Sequence, residues 1–395
     1  MKNRVLDKNN PLLLISLCQF CFSLAMNLVD PILPQYASSF NISYVLVGIV
    51  VSSFGFARIF FEIPGGLLTD RFGFKSLLFF GYVLCTISQI VAGIAQTFVE
   101  LALARMILGI GTALDITASL TYLGEITTVE TRVRYIALFQ SAGTLAQIIG
   151  PTVGGVISET AGSRSNFFVS ALLFAISAVL VLKKIPKKTS ASDRPRGIMP
   201  SRSDLIAILK DIHVIAISGS AFVMFFLYNS IRSPMIPLYG TEQFHLSSLQ
   251  IGLVLSLNSI ASFIVLLFIS PRLEGIVSRS SLLPISLLVN SISVLALSFS
   301  SNFTTLAILT IFFGVGHGLL QPIPFTMIID LSKPENRGLS MGILRTIADL
   351  GVIIGPIMVG LLMDLNQPLL VFYLVAGIVV AFSFITWIVF RKART

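Results

Sequence analysis

Twelve long apolar segments run through this chain, and they constrain its fold more than any other feature. Each is nearly free of charge and at least as long as the helix that crosses the hydrocarbon core of a bilayer. Of the 395 residues, 55% are hydrophobic and 11% are charged, roughly half the charged fraction of a soluble protein. We therefore predict an all-α membrane protein with spans at about 12–35, 44–68, 77–97, 99–122, 136–157, 167–184, 212–237, 249–270, 281–299, 303–328, 340–363 and 369–390.

The basic residues predict how these spans are oriented. The two termini and the loops on their side of the membrane hold 22 Lys and Arg, and the opposite loops hold one, Arg164. Because basic loops stay in the cytoplasm, we expect both termini to be cytoplasmic in a multi-pass protein of the cell membrane. This topology also explains the net charge of +9, so we expect the lipid bilayer and no nucleic acid as a partner.

The two halves of the chain repeat each other. With an offset of 205, the Gly109 and Gly111 positions of span 4 fall on Gly314 and Gly316 of span 10. We predict an N-terminal six-helix bundle over 1–184, a cytoplasmic linker over 185–211 and a C-terminal six-helix bundle over 212–395. Two pseudo-symmetric bundles with a site between them are typical of secondary transporters.

A short charged hinge, GGLLTDRFGFKSLL at 65–78, joins spans 2 and 3. It resembles the signature of the major facilitator superfamily, G-x-L-A-D-R-x-G-R-K, which lies at this place in those transporters. Thr69 and Phe74 depart from the pattern. The resemblance implies the twelve-helix major facilitator fold and a gating role in which the acid meets the start of span 11. The matching positions are Gly66, Leu68, Asp70, Arg71, Gly73 and Lys75.

Two further motifs point to one branch of this superfamily. The Arg105–Ala113 segment of span 4 is similar to R-x-x-Q-G-x-G-A-A, whose Arg is implicated in proton coupling. Span 5 resembles the antiporter motif G-P-x-x-G-G at Gly150, Pro151, Gly154 and Gly155, although packing alone could also explain these residues. Together, the motifs of the hinge, span 4 and span 5 are most like those of the twelve-span drug:proton antiporters.

Polar side chains inside the spans are candidates for the transport site, because such groups are costly in lipid. Asp30 ends a polar face of span 1 and could bind a proton or a cationic substrate, or pair with Arg232 of span 7. We predict that the central cavity is lined by Gln19, Ser23, Asn27, Gln140, Thr144, Tyr228 and Asn229.

Other ionisable residues of the spans allow two interpretations each. Asp115 is a second candidate proton site or a member of a structural ion pair. Arg345 and Asp349 are four residues apart and could pair with each other or take part in transport. For Arg58 and Glu62, with the same spacing, we favour a structural pair. His317 is expected to be a satisfied core residue.

The resemblance to the drug:proton antiporters implies proton-coupled export of lipophilic or cationic small molecules by alternating access. The alternative is a symporter or uniporter for a sugar, an organic anion or another metabolite, in which Arg105, Arg232 and Arg345 would bind an anion. A sensor built on the same fold is a further alternative, but the largest loop is only about 29 residues. We expect the protein to be a monomer. We also expect that it is not an enzyme and has no metal and no cofactor, because the sequence carries no hydrolase, zinc or phosphate-loop motif.

Overall fold

The protein was examined as a computed structural model that describes residues 11–127, 129–185, 210–332 and 337–392. Within these ranges the side chains of 63, 66, 67, 70, 129–134, 337, 338 and 392 are not described. All regular elements of the described residues are helices. They are α1 (Pro11–Val29), α2 (Leu33–Ser38), α3 (Tyr44–Phe72), α4 (Phe74–Ile94), α5 (Phe98–Ile126), α6 (Val129–Ala161), α7 (Ser163–Lys184), α8 (Ile212–Ser230), α9 (Ile236–Phe244), α10 (Ser248–Ile264), α11 (Ser270–Glu274), α12 (Arg279–Leu297), α13 (Phe303–Leu320), α14 (Ile323–Leu331), α15 (Arg337–Asp364) and α16 (Pro368–Lys392).

Twelve segments of the described chain are helical, long and apolar enough to cross a membrane, as predicted. A helix satisfies its own backbone hydrogen bonds, and this is what lipid demands of a spanning segment. Some spans are irregular inside. The seventh consists of α8 and α9 joined by a π-helical turn at Ile231–Met235, and the eighth contains a second π turn at Val265–Ile269.

The chain forms two compact units. Unit 1 contains Met1–Ile42, Ser53–Arg194 and Ser247–Ser256. Unit 2 contains Ser43–Ser52, Pro195–Leu246 and Leu257–Thr395. The start of α3 therefore belongs to unit 2 and the start of α10 to unit 1, while the other described helices lie within one unit.

The sequence repeat appears as the same helix contact in each unit. In unit 1, α5 lies so close to α3 that a side chain at Gly109 would overlap the carbonyl oxygen of Phe54. In unit 2, a side chain at Gly314 of α13 would likewise overlap the carbonyl oxygen of Asn258 in α10. Glycine allows this close approach of two backbones. The glycines at these repeated positions are therefore explained by helix packing.

An acidic side chain caps a neighbouring helix in each unit. In unit 2, the carboxylate of Asp364, at the end of α15, accepts hydrogen bonds from the backbone N–H groups of Tyr44 (2.7 Å) and Val45 (2.9 Å) at the start of α3. In unit 1, Glu159 of α6 accepts one bond of 3.3 Å from the N–H of Leu249 in α10. A negative charge is stabilising at a helix N-terminus, where the first N–H groups lack partners.

We expect Asp364→Ala to lower the free energy of unfolding by about 1–2 kcal/mol, because two N–H groups of α3 lose a charged acceptor. Glu159→Ala, which removes a single longer bond, should have a smaller effect. Thermal unfolding of the purified protein in detergent measures both. A larger loss of stability in Glu159→Ala than in Asp364→Ala would contradict this assignment.

Candidate functional site

Asp30 lies at a break in the first span. Helix α1 ends at Val29, residues 30–32 form a turn, and α2 begins at Leu33. Pro31 has no backbone N–H and cannot continue the hydrogen bonding of α1. The half-buried residue Asp30 thus lies where the helix of the span is interrupted. Broken helices of this kind form the ion and substrate sites of many transporters.

Within unit 1, Arg105 of α5 interacts electrostatically with Asp30. The Arg105 side chain is only 4% exposed. The Cζ atom lies 5.3 Å from the ring centroid of Phe54, and Arg58 lies at the same distance from that ring. Arg58 also pairs with Glu62 at 3.5 Å, which confirms the predicted i, i+4 ion pair. Two cations therefore contact one aromatic ring, and each of them also interacts with an acid.

The sequence analysis did not single out Phe54. The residue stands four positions before Arg58 on α3, a spacing at which an aromatic ring and a cation meet on one helical face. That spacing could have predicted the contact with Arg58. The contact with Arg105 comes from another helix and depends on how α3 and α5 pack.

The polar face of α1 packs against α6. Gln19 Nε2 donates to Ser23 Oγ at 3.2 Å, and Asn27 Nδ2 donates to the carbonyl oxygen of Ser23 at 2.8 Å. A side chain at Gly150 would lie 2.5 Å from the Cβ of Asn27, and one at Gly154 would overlap the carbonyl oxygen of Leu28. These two glycines of the antiporter motif therefore form a close helix contact.

The rest of the antiporter motif faces α10 within unit 1. A side chain at Gly155 would lie 2.5 Å from the carbonyl oxygen of Ser248. Gly252 of α10 is packed against the carbonyl group of Pro151. Nearer the start of α6, Gln140 is exposed and its carbonyl oxygen accepts a 3.0 Å hydrogen bond from the Thr144 hydroxyl.

Asp115 lies in the core of unit 1 and is 1% exposed. Its carboxyl group accepts a hydrogen bond of 3.2 Å from the Ser119 hydroxyl and bonds with the Tyr82 hydroxyl. The thiol of Cys85 is also nearby. Among the described residues Asp115 makes no ion pair, so it differs from Asp30 in having neutral neighbours.

In unit 2, Arg232 occupies the π turn after α8 and is 2% exposed. Its Cζ atom lies 5.2 Å from the ring centroid of Tyr228, and Nη2 donates a 3.4 Å hydrogen bond to Ser259. The Tyr228 ring stacks on the imidazole of His317, with centroids 4.5 Å apart and an interplanar angle of 27°. Contrary to the sequence-based expectation, His317 is not a satisfied core residue, because its buried Nδ1 atom has no hydrogen-bond partner in the described part of the chain.

The other predicted residues of unit 2 lie on α8 and α15. Asn229 Nδ2 donates to the carbonyl oxygen of Phe225 at 2.8 Å. The Cζ atom of Arg345 lies 5.9 Å from the ring centroid of Phe325. Asp349, one turn further along α15, is 2% exposed. The structure thus places Tyr228 and Arg232 together and puts Arg345 over a different ring.

The hinge between α3 and α4 is described in part. Lys75 Nζ donates a 2.5 Å hydrogen bond to the carbonyl oxygen of Ile185, and Arg71 lies over the ring of Phe72 at 5.3 Å. The surroundings of Gly66 and the side chain of Asp70 lie outside the described structure, so the gating role of Asp70 stays a prediction. Most of the predicted linker also lies outside the described residues.

The corresponding hinge of unit 2 is an ionic cluster. Arg279 pairs with Glu274 at 2.8 Å and with Asp330 at 2.5 Å. With an offset of 204, Asp70 and Lys75 of the first hinge fall on Glu274 and Arg279. Asp330 was missed, although an offset of 205 places it on Glu125 of span 4.

Gly73 adopts a backbone conformation that favours glycine, with φ at +79° just before α4. We expect Gly73→Ala to lower the free energy of unfolding by about 1 kcal/mol, because a Cβ is disfavoured at positive φ. Gly124→Ala in α5 is the matched control, since open space surrounds that glycine. Thermal unfolding compares the two, and equal stability would contradict the prediction.

The sequence profile of the Major Facilitator Superfamily matches residues 15–232 and 217–395. This chain belongs to the major facilitator superfamily. Two bacterial relatives of this transporter carry names that refer to drug resistance. Multidrug resistance protein 1 of Bacillus subtilis (strain 168) is 25% identical over 364 residues, which cover 91% of this chain and 92% of that protein. Quinolone resistance protein NorA of Staphylococcus aureus is 21% identical over 349 residues, 88% of each chain.

Solved structures of other transporters share the fold of this major facilitator protein. A bacterial homologue of the human lysosomal transporter Spinster, inward-facing and unoccupied, has a TM-score of 0.80 at 14% identity and covers 96% of this chain and 97% of its own. A D-xylose-proton symporter has a TM-score of 0.78 at 16% identity, with coverage of 95% and 96%. The predicted fold is confirmed, and the protein is a multi-pass transporter of small molecules, not an enzyme.

Proposed function

We propose that this major facilitator transporter exports lipophilic or cationic small molecules in exchange for protons by alternating access. The observation that carries the proposal is the placement of Asp30, a half-buried acid at a helix break with Arg105 as its electrostatic partner. The drug-resistance names of the two bacterial relatives support the same substrate class. The protein would act as a monomer in the plasma membrane, with cytoplasmic termini and with the bundles and linker predicted above.

Competition at one carboxyl group would couple the two fluxes. When Asp30 is ionised, Arg105 attracts its carboxylate, and an incoming cation can take the place of Arg105 beside that carboxylate. When a proton binds, the acid becomes neutral and releases the cation. Arginine side chains stay charged in proteins, so the proton must be carried by Asp30 and not by Arg105. Asp115 and Asp349, both buried, are the acids that could assist.

The proposal is tested in proteoliposomes that contain the full-length protein and an acidic lumen. We expect a lipophilic cation to drive proton release from the lumen, whereas sugars and organic acids should not. A pH-sensitive dye inside the vesicles records the flux, and protein-free liposomes correct for leakage. Transport of the cation without proton movement, or proton flux coupled to a sugar, would overturn the proposal.

A further inference from the structure

We propose that a groove between α12 and α16 of unit 2 binds one phospholipid with an anionic headgroup. The inference goes beyond the proposed export of small molecules, because it assigns a ligand to the membrane-facing side of two helices. The groove needs neither a proton gradient nor Asp30 to bind this lipid. The binding is also more specific than a general contact with the bilayer, which would show no preference between headgroups.

The first reason is a cavity on the exposed side of these two helices. It has a volume of about 560 Å³ and lies wholly within unit 2. Its apolar walls include four exposed side chains, Ile285, Leu288, Val380 and Phe384. Lipid tails are as apolar as these side chains. The cavity is therefore a suitable place for an acyl chain.

The second reason is the length of the groove. Along α12 it extends from Ser280 to Leu288, and along α16 from Arg391 back to Val380. At helical rise these stretches are about 12 Å and about 16 Å long. The hydrocarbon core of a bilayer is about 30 Å thick, so the groove is about as deep as one leaflet. Because α12 begins and α16 ends on the side predicted to be cytoplasmic, this leaflet is the inner one.

The third reason is the charge at the polar end of the groove, where a headgroup would lie. Arg391 is exposed there, and within the described chain it makes no ion pair. Arg279, at the start of α12, is instead neutralised by Glu274 and Asp330. One positive charge thus remains for a phosphate group. A zwitterionic headgroup brings its own ammonium group, which competes with the guanidinium for that phosphate, so the site favours an anionic headgroup.

The fourth reason is the order of side chains along the groove. The Cζ atom of Arg391 lies 5.0 Å from the ring centroid of Trp387, and the Phe384 ring stacks on Trp387 with centroids 5.8 Å apart. Tryptophan is enriched at the level of the headgroups, and phenylalanine one turn deeper meets the acyl chain. The Ser383 hydroxyl donates a 2.7 Å hydrogen bond to the carbonyl oxygen of Pro284, which holds α16 against α12 along the groove.

The single tryptophan of the chain, Trp387, is the probe for this site. The full-length protein is reconstituted in mixtures of phosphatidylglycerol and phosphatidylcholine with the same acyl chains, and bromine on the chains of one lipid quenches the fluorescence on contact. We expect phosphatidylglycerol to bind beside Trp387 about fivefold more tightly, the effect of one basic residue at a membrane surface. Arg391→Gln should remove this preference, and Arg391→Lys should keep it.

Two controls separate the groove from basic residues in general. Arg272→Gln removes an exposed charge at the same face of unit 2 but outside the groove, and it should keep the preference. The double variant Trp387→Phe/Val179→Trp moves the probe to an exposed position five residues before the end of α7, as Trp387 is five before the end of α16. Lys183 and Lys184 follow there, outside the groove, so we expect a smaller preference.

Equal binding of the two lipids beside Trp387, a full preference in Arg391→Gln, or the same preference at both probe positions would overturn the proposal. Absence of quenching by either lipid would also overturn it, since the groove would then be covered by another occupant, such as a second copy of the chain. If Arg391→Gln does not yield folded protein by size-exclusion chromatography, salt at about 1 M replaces it and should reduce the preference by screening. Because no pH gradient is used, failure of proton-coupled export would not affect this result.

Discussion

Replacing Asp30 with asparagine should abolish proton-driven export. Asparagine keeps the shape of the side chain and its hydrogen-bonding capacity, but it carries no charge and binds no proton at physiological pH. The variant would leave Arg105 without the negative charge that the structure gives it in unit 1. We expect cation-driven proton release in proteoliposomes to fall by about 100-fold or more, since a transferable proton is lost at the coupling step.

The comparison variants separate coupling from general damage. Glu100→Gln removes an exposed acid at the start of α5, where Glu100 accepts a hydrogen bond from the Gln96 N–H, and it should leave the proton flux unchanged. Asp115→Asn and Asp349→Asn should reduce the flux only if those acids assist Asp30. An Asp30→Asn protein that still concentrates a cation against its gradient would disprove the role of Asp30.

Replacing Gly154 with leucine should strongly destabilise unit 1. A Cβ at this position would already overlap the carbonyl oxygen of Leu28, and the rest of a leucine side chain would have to fit between α1 and α6. Backbone atoms cannot move aside as the end of a flexible side chain can, so the two helices would have to separate. We expect a loss of more than about 3 kcal/mol in the free energy of unfolding, the upper end of the usual overpacking cost.

A glycine in open space provides the control for this substitution. No atom outside the local helix lies within 4 Å of the Cβ position at Gly124 in α5. Gly124→Ala should raise stability by up to about 1 kcal/mol, because alanine favours the helix more than glycine does. Size-exclusion profiles and thermal unfolding in detergent compare the variants. A Gly154→Leu protein as stable as Gly124→Ala would show that the α1–α6 contact does not limit the fold.

The sequence alone predicted the twelve spans, the superfamily and the repeat of the two halves. These follow from segment length, apolar content and short motifs, which are local properties of the chain. The pair of Arg58 and Glu62 was also predictable, because residues four apart share a helical face. The positive φ angle of Gly73 explains why the hinge motif has glycine at this position.

Only the tertiary structure decided which groups meet. It brought Arg105 over the Phe54 ring, placed the Tyr82 hydroxyl beside Asp115, and stacked Tyr228 on His317. Each of these contacts joins helices that are distant in the sequence. Lipid and the protein interior are similarly apolar, so a membrane helix is apolar on nearly all sides. Hydrophobicity therefore shows where a helix spans the membrane, but it does not show which face contacts which helix. The neighbour that each face contacts is set by close packing of small residues and by polar groups inside the bundle.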